Sequence, residues 1–197
     1  MDREKILSSL PDDIGQLYRN INELKTSFRD EFKRQFNRSL PFGDEMFDRW
    51  ERAKYLGFGN DSSIYESSYV IGDVEVGEKT WIGPFVMLDG SGGLKIGSYC
   101  MISSGVHVYT HDTVKWSLTS GKVDAERALV TIGDNCYIGS QALIIKGIEI
   151  GHHSVVGACS FVNKSIPPHS IAVGVPAKVI GKTIIDGNNV RMEYFQE

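Results

Sequence analysis

Residues 132–162 read Ile132-Gly133-Asp134-Asn135-Cys136-Tyr137, Ile138-Gly139-Ser140-Gln141-Ala142-Leu143, Ile144-Ile145-Lys146-Gly147-Ile148-Glu149, Ile150-Gly151-His152-His153-Ser154-Val155, Val156-Gly157-Ala158-Cys159-Ser160-Phe161 and Val162. An aliphatic side chain returns at every sixth position without a slip, and Gly follows it at Gly133, Gly139, Gly151 and Gly157. Two residues before the aliphatic positions stand Cys136, Ala142, Ser154 and Ser160, all small. A period of six is neither the 3.6 of a helix nor the two of a simple strand. It suits a three-sided coil of short strands, with positions i and i−2 of each flat side pointing inward. The corner between sides asks for a tight backbone turn, which accounts for the Gly. Stacked coils pair strand on strand at about 4.8 Å, each burying the face of the next.

Upstream the same period runs through Ile64, Val70, Val76, Ile82 and Leu88, then, after a two-residue slip at Gly92-Gly93, through Ile96, Ile102 and Val108. The inward companions there are Val74, Thr80, Val86, Cys100 and Val106. With three hexapeptides to a coil, the two blocks give about five coils. Residues 109–130 interrupt the repeat and return it to phase, and an irregular excursion from a rigid scaffold is where binding chemistry is expected. Cys100 and Cys136 fall in the inward series and read as core; Cys159 falls near a corner.

Before the repeat, Ile14, Leu17, Ile21, Leu24, Phe28, Phe32 and Phe36 make one stripe of a helix over residues 12–38, with Asp12 or Asp13 as its cap. A second helix is expected from Asp44 through Trp50 to a stop at Gly57. These helices either pack against the main domain or a neighbouring subunit, or form a cover that shapes an acceptor pocket. The expected organisation is thus a helical extension at 1–58, a solenoid at 59–182 carrying the loop 109–130, and a C-terminal extension at 183–197. Across the 197 residues, 21 Lys+Arg against 25 Asp+Glu give a net charge of −4, which argues against a nucleic-acid or anionic-membrane coat. Three Cys cannot pair completely, the start Met1-Asp2-Arg3-Glu4-Lys5 lacks the apolar stretch of a signal peptide, and no apolar run reaches a membrane span. The expected compartment is the cytoplasm.

The repeat, Tyr109-Thr110-His111-Asp112, and the ending Ile166-Pro167-Pro168-His169-Ser170-Ile171-Ala172-Val173-Gly174-Val175-Pro176-Ala177-Lys178-Val179-Ile180 together resemble the hexapeptide-repeat acyltransferases over roughly residues 60–182. The resemblance is to the branch of galactoside, maltose and polysaccharide O-acetyltransferases. It implies an all-β solenoid, a left-handed parallel β-helix, assembled as a homotrimer with active sites in the clefts between subunits. It also implies acetyl-CoA as co-substrate, a small-molecule or saccharide acceptor, and no metal.

In the resembling enzymes the catalytic base stands where His111 stands. Acyl transfer from a thioester to an alcohol needs a proton removed from the attacking hydroxyl, and imidazole is matched to that task near neutral pH. No activated Cys or Ser nucleophile is evident, so direct attack on acetyl-CoA is the simpler route. Asp112 either orients the imidazole or hydrates at the surface. Asp89, at the register slip, either accepts from an acceptor hydroxyl, helps place the base, or is ordinary Asp-Gly turn chemistry. Phe85 replaces a polar residue of the galactoside enzymes among the acceptor contacts, and Trp116 and Tyr109 either stack on a sugar face or pin the loop. On the coenzyme side the resemblance carries to Ser140, Ala158, Asn163, Lys164 and Lys178. Ser140 and Ala158 would offer backbone groups to the pantetheine arm, and Lys164 and Lys178 would neutralise phosphates. The oxyanion would be held by a backbone N–H around Gly139-Ser140.

Competing readings are N-acetyl transfer to an amino sugar, a γ-carbonic-anhydrase-like zinc enzyme, and a non-catalytic trimeric scaffold. The anhydrase pair of histidines is five apart, whereas His107 and His111 are four apart with no third partner in its pattern. Serine acetyltransferases carry a large helical N-terminal domain and a paired-histidine motif absent here; His152-His153 sits in the repeat instead.

Overall fold

The computed structural model describes residues 3–196; Met1, Asp2 and Glu197, at the outer ends of the two expected extensions, lie outside the described residues. Two compact units divide between Asp48 and Arg49. The larger is the expected left-handed parallel β-helix, of about six turns. Strands stack on its first face in the register Ser63↔Trp81↔Met101↔Tyr137↔Val155↔Ile171. These steps of 18, 20, 36, 18 and 16 residues carry the history of the chain. Eighteen is three hexapeptides, and the step to Met101 absorbs the slip at Gly92-Gly93. The step to Tyr137 is one coil plus an equal length ejected as the loop. Strand Ser170–Gly174 adds a side beyond the last position of the repeat, which is why about five expected coils become about six.

Strands Tyr69–Val76 and Met87–Ile96 run through the corner between the second and third faces and pair along both. Above them, His107–Tyr109, Leu143–Ile144 and Phe161–Val162 complete the second face, and Val130–Ile132 and Glu149–Ile150 the third. The stack ends in antiparallel pairing, Ser170–Gly174 with Ala177–Asp186 and that strand with Asn189–Tyr194. The hairpin occupies one edge that a parallel stack leaves open.

Inside, the six-residue series is fully buried from Ile82 through Leu88, Ile102, Val108, Ile138, Ile144 and Val156 to Val162. Val70 and Val74, in the first coil with no earlier coil beneath them, are half-buried. The small inward residues on the first face do more than fill space. Ser62 Oγ donates to the Gly77 carbonyl and accepts from the Thr80 N–H; Thr80 Oγ1 donates to the Gly97 carbonyl and accepts from the Cys100 N–H. Cys100 and Cys136 continue the column with thiols 3.1 and 3.2 Å from the Gly133 and Gly151 carbonyls. Corner carbonyls buried in the prism are thereby satisfied, which apolar residues of the same size could not do.

The corner glycines have a different cause from the one the sequence suggests. Gly83, Gly133 and Gly139 are absent from the left-handed backbone positions, which fall to Lys79, Phe85, Tyr99, Asn135, Gln141, His153, Cys159 and His169, and to glycine at Gly105 and Gly147. What Gly139 provides is closeness: a Cβ there would lie 2.5 Å from the backbone nitrogen of Ala158 in the next coil. The Gly after the aliphatic position lets backbones stack at coil spacing, while the left-handed turn two residues on is taken mostly by other residues.

In the smaller unit, α1 (Arg3–Leu7), α2 (Asp12–Phe36) and α3 (Phe42–Met46) are helical. The residue ahead of α2 is Pro11 and no side chain caps it, so Asp12 and Asp13 lie inside the first turn and act there on the helix dipole. Along the apolar stripe of α2, Leu17 is 54% exposed, whereas Phe28 and Phe32 are half-buried. The second expected helix is two: Phe47 turns extended after α3, and α4 (Arg49–Tyr55) starts afresh behind Asp48, a residue type favoured ahead of helices. α4 packs on the solenoid, with Ala53 fully buried in its core. No helix of the described residues is long and apolar enough to cross a membrane.

Candidate active site

At the corner between the second and third faces, the strand His107–Tyr109 ends and the chain leaves the solenoid. The excursion is not irregular at its base. His111–Asp112 pairs antiparallel with Glu126–Arg127, the Ala128 N–H donates to the Thr110 carbonyl, and a short helix α5 (Val114–Leu118) forms the tip. Lys146, projecting from the same corner one coil on, holds the base with Nζ 2.5 Å from Asp112 Oδ2 and 3.0 Å from Glu126 Oε2. That hydrogen bond from Lys146 lowers the Asp112 carboxyl, and Lys115 and then Lys146 lower Glu126; the two carboxylates in turn raise Lys146.

Asp89 lies buried one coil before, and its Oδ2 is 2.6 Å from His111 Nδ1. The Thr110 N–H donates to the same oxygen at 3.0 Å, and the Ser91 hydroxyl and N–H donate to Oδ1. Burial pushes the Asp89 carboxyl up. The hydrogen bonds from Ser91, His111 and the two backbone groups outweigh burial and hold it at about 2. Thr110 is itself locked, its hydroxyl donating to the Asp89 carbonyl and accepting from the Gly92 N–H. An ionised carboxylate only accepts, so the shared proton sits on Nδ1 and Nε2 keeps its lone pair. The His111 side chain is 34% exposed, which leaves that edge reachable. The pair is a base with an orienting acceptor, the arrangement that proton abstraction from a nucleophile requires.

The other sequence-expected residues divide between corners. Asp112 is engaged by Lys146 and the Val114 N–H; the orienting acceptor of His111 is Asp89. Trp116 is exposed on α5, and Tyr109 bonds His107 at 3.2 Å. Asn163, Lys164 and Lys178 gather along a groove of about 430 Å³ with Ile166 and Pro176. Ser140 and Ala158 stack at the corner between the first and second faces, where the Ser140 carbonyl accepts from Cys159, and Phe85 occupies that corner as well. The Gly139 N–H donates to the Val156 carbonyl at 2.8 Å, so it is spent in the ladder and unavailable to an oxyanion. Residues missed from sequence are Ser91, Thr110 and Lys146. Their only signal was proximity to the register slip and to the loop, which looks like solvated turn chemistry.

The histidines weighed for an anhydrase do not join: His107 bonds Tyr109 and His111 bonds Asp89. His152, His153 and His169 come together instead, at the corner between the third and first faces.

Residues 130–164 match the family model described as bacterial transferase hexapeptide (six repeats). That match falls on the unbroken block of the repeat from which the upper coils of the solenoid are built, the feature that this chain shares with hexapeptide-repeat acyltransferases. The chain is 34% identical over 125 residues to the galactoside O-acetyltransferase of Escherichia coli, covering 53% of this chain and 62% of that one. It is 32% identical over 151 residues to the serine acetyltransferase of Salmonella typhimurium, covering 77% and 52%. The chain therefore spans a little over half the length of these curated relatives. Among solved structures, a galactoside acetyltransferase in complex with coenzyme A superposes with a TM-score of 0.61 at 25% identity, covering 82% of each chain. An N-acyltransferase from Bacillus cereus in complex with dTDP and coenzyme A gives 0.59 at 26% identity, over 64% and 72%.

Proposed function

We propose that the protein transfers an acetyl group from acetyl-CoA to a hydroxyl of a saccharide, with His111 as general base. The observation that carries this reading is the 2.6 Å pairing of His111 Nδ1 with the buried carboxylate of Asp89. The acceptor hydroxyl attacks the thioester carbonyl while Nε2 takes its proton. The tetrahedral intermediate then expels the coenzyme thiolate, which receives that proton from the imidazolium. Asp89 stabilises the imidazolium between the two steps and fixes its tautomer. The donor is supported by relatives solved with coenzyme A. A sugar acceptor is favoured by Trp116, an exposed indole on the loop able to lie against a sugar face.

The arrangement also favours a shared site. Ser140 and Ala158 sit one corner away from His111 within a chain, and one side of six residues spans roughly 20 Å. That is too far for His111 and these groups to meet on one thioester, so the two corners serve one coenzyme if neighbouring chains of a trimer face each other. Hydroxyl-bearing serine and amino sugars are the competing acceptors, matching the serine acetyltransferase and N-acyltransferase relatives.

The test is thiol release from acetyl-CoA with panels of saccharides, amino sugars and serine. His111→Ala should lower turnover by roughly 10²–10⁴-fold with the fold intact. Near-native turnover in that variant removes the assignment, and a preference for amines or serine in the native protein removes the saccharide.

A further inference from the structure

Outside the candidate active site, the corner between the third and first faces stacks three imidazoles. His153 and His169 occupy the same left-handed position in successive coils, with φ of 58° and 56°. Their rings lie nearly parallel with centroids 5.0 Å apart. His152 stands edge-on to both, at 5.1 and 5.0 Å, and its Nδ1 is 2.9 Å from His153 Nδ1. One nitrogen from each ring lies within 4.8 Å of the other two.

The backbone fixes these positions. The His169 N–H donates to the His152 carbonyl and the His153 N–H to that of Asp134. From the C-terminal hairpin, the Thr183 hydroxyl donates to the His153 carbonyl and its N–H to the His169 carbonyl. The turn itself does not ask for imidazole, because Asn135 takes the equivalent position one coil earlier.

We propose that His152, His153 and His169 bind a divalent late transition-metal ion, Zn²⁺ in the first instance. With Zn–N bonds of about 2.0–2.1 Å, tetrahedral ligand nitrogens sit about 3.3 Å apart, a spacing these rings reach by small side-chain rotations. Three imidazoles select Zn²⁺, Co²⁺, Ni²⁺ or Cu²⁺ over Mg²⁺ or Ca²⁺. His152 and His169 are exposed, so the fourth ligand is a water. The ion would tie the corner ending at Ser154 to the coil of Ser170 and to the terminal hairpin, one corner away from His111. It is a clip on the end of the solenoid and takes no part in acyl transfer.

Calorimetric titration of the full chain with ZnCl2 tests this, alongside visible absorption on adding Co²⁺. The native protein should bind one Zn²⁺ per chain saturably and melt at a higher temperature with the ion. His153→Asn with His169→Asn keeps a residue suited to left-handed backbone, and His152→Ala alters a position outside it. Loss of an outer-shell partner alone costs about 10–100-fold in metal affinity, so loss of a ligand should weaken binding at least about tenfold in each variant. The thermal shift should vanish with it. Absence of saturable binding to the native chain, or equal affinity in the native chain and both variants, overturns the site.

Discussion

Asp89 shows how one residue of a candidate site can also bear on stability. Its carboxyl, at about 2, lies below the usual 3.8, so the folded state favours the ionised form. The stabilisation, about 2 kcal/mol, is complete above pH 3.8 and lost as pH falls through 2. Asp89→Asn should remove that part of the acid-unfolding curve and lower turnover by roughly 10²-fold or more, since an amide can donate to Nδ1 and leave the proton on Nε2. Unchanged turnover, followed by thiol release, would make Asp89 a turn residue only. His111 and Asp89 were both legible in the sequence, His111 from the point where the loop departs and Asp89 from the register slip. Their contact was not, because it depends on which corner each occupies at a separation of 22 residues. Asp112, adjacent to His111, was an equal contender until the antiparallel base of the loop turned it toward Lys146.

At the scale of elements, the loop is held by charge rather than by a core. Lys146 meets Asp112 and Glu126 from the next coil, and Lys115 meets Glu126 from within the loop. Lys146→Met should loosen the base on which His111 sits. The expected result is turnover lowered by about tenfold, with a melting temperature within a few degrees of native, because the partners are largely solvated. A large fall in melting temperature would instead make Lys146 part of the fold. The strands themselves were readable from their period, since each aliphatic position is answered by one in the next coil. The purpose of the glycines was not, because backbone approach at Gly139 is a relation between coils and leaves no mark on local turn preference. The break at Phe47 was likewise hidden inside an amphipathic pattern that continues across it.

For the whole molecule, the repeat predicted a three-sided solenoid and its excursion, and both are present. What six-residue periodicity cannot carry is which corners from which chains meet. Asp89, His111, Asn163 and Lys164 share one corner column, while Ser140, Ala158 and Phe85 lie on another. A trimer that sets one column against the other would complete a site that a lone chain leaves divided. The exposed stripe of α2 is a second feature whose burial the sequence pattern could not decide. The decisive measurement is a crystal structure of the protein with coenzyme A. The thiol is expected at a seam between two chains, facing His111 Nε2 across a gap that one acceptor hydroxyl fills, about 3 Å on each side. Coenzyme A bound along a single chain, with Nε2 turned to open solvent, would contradict that placement.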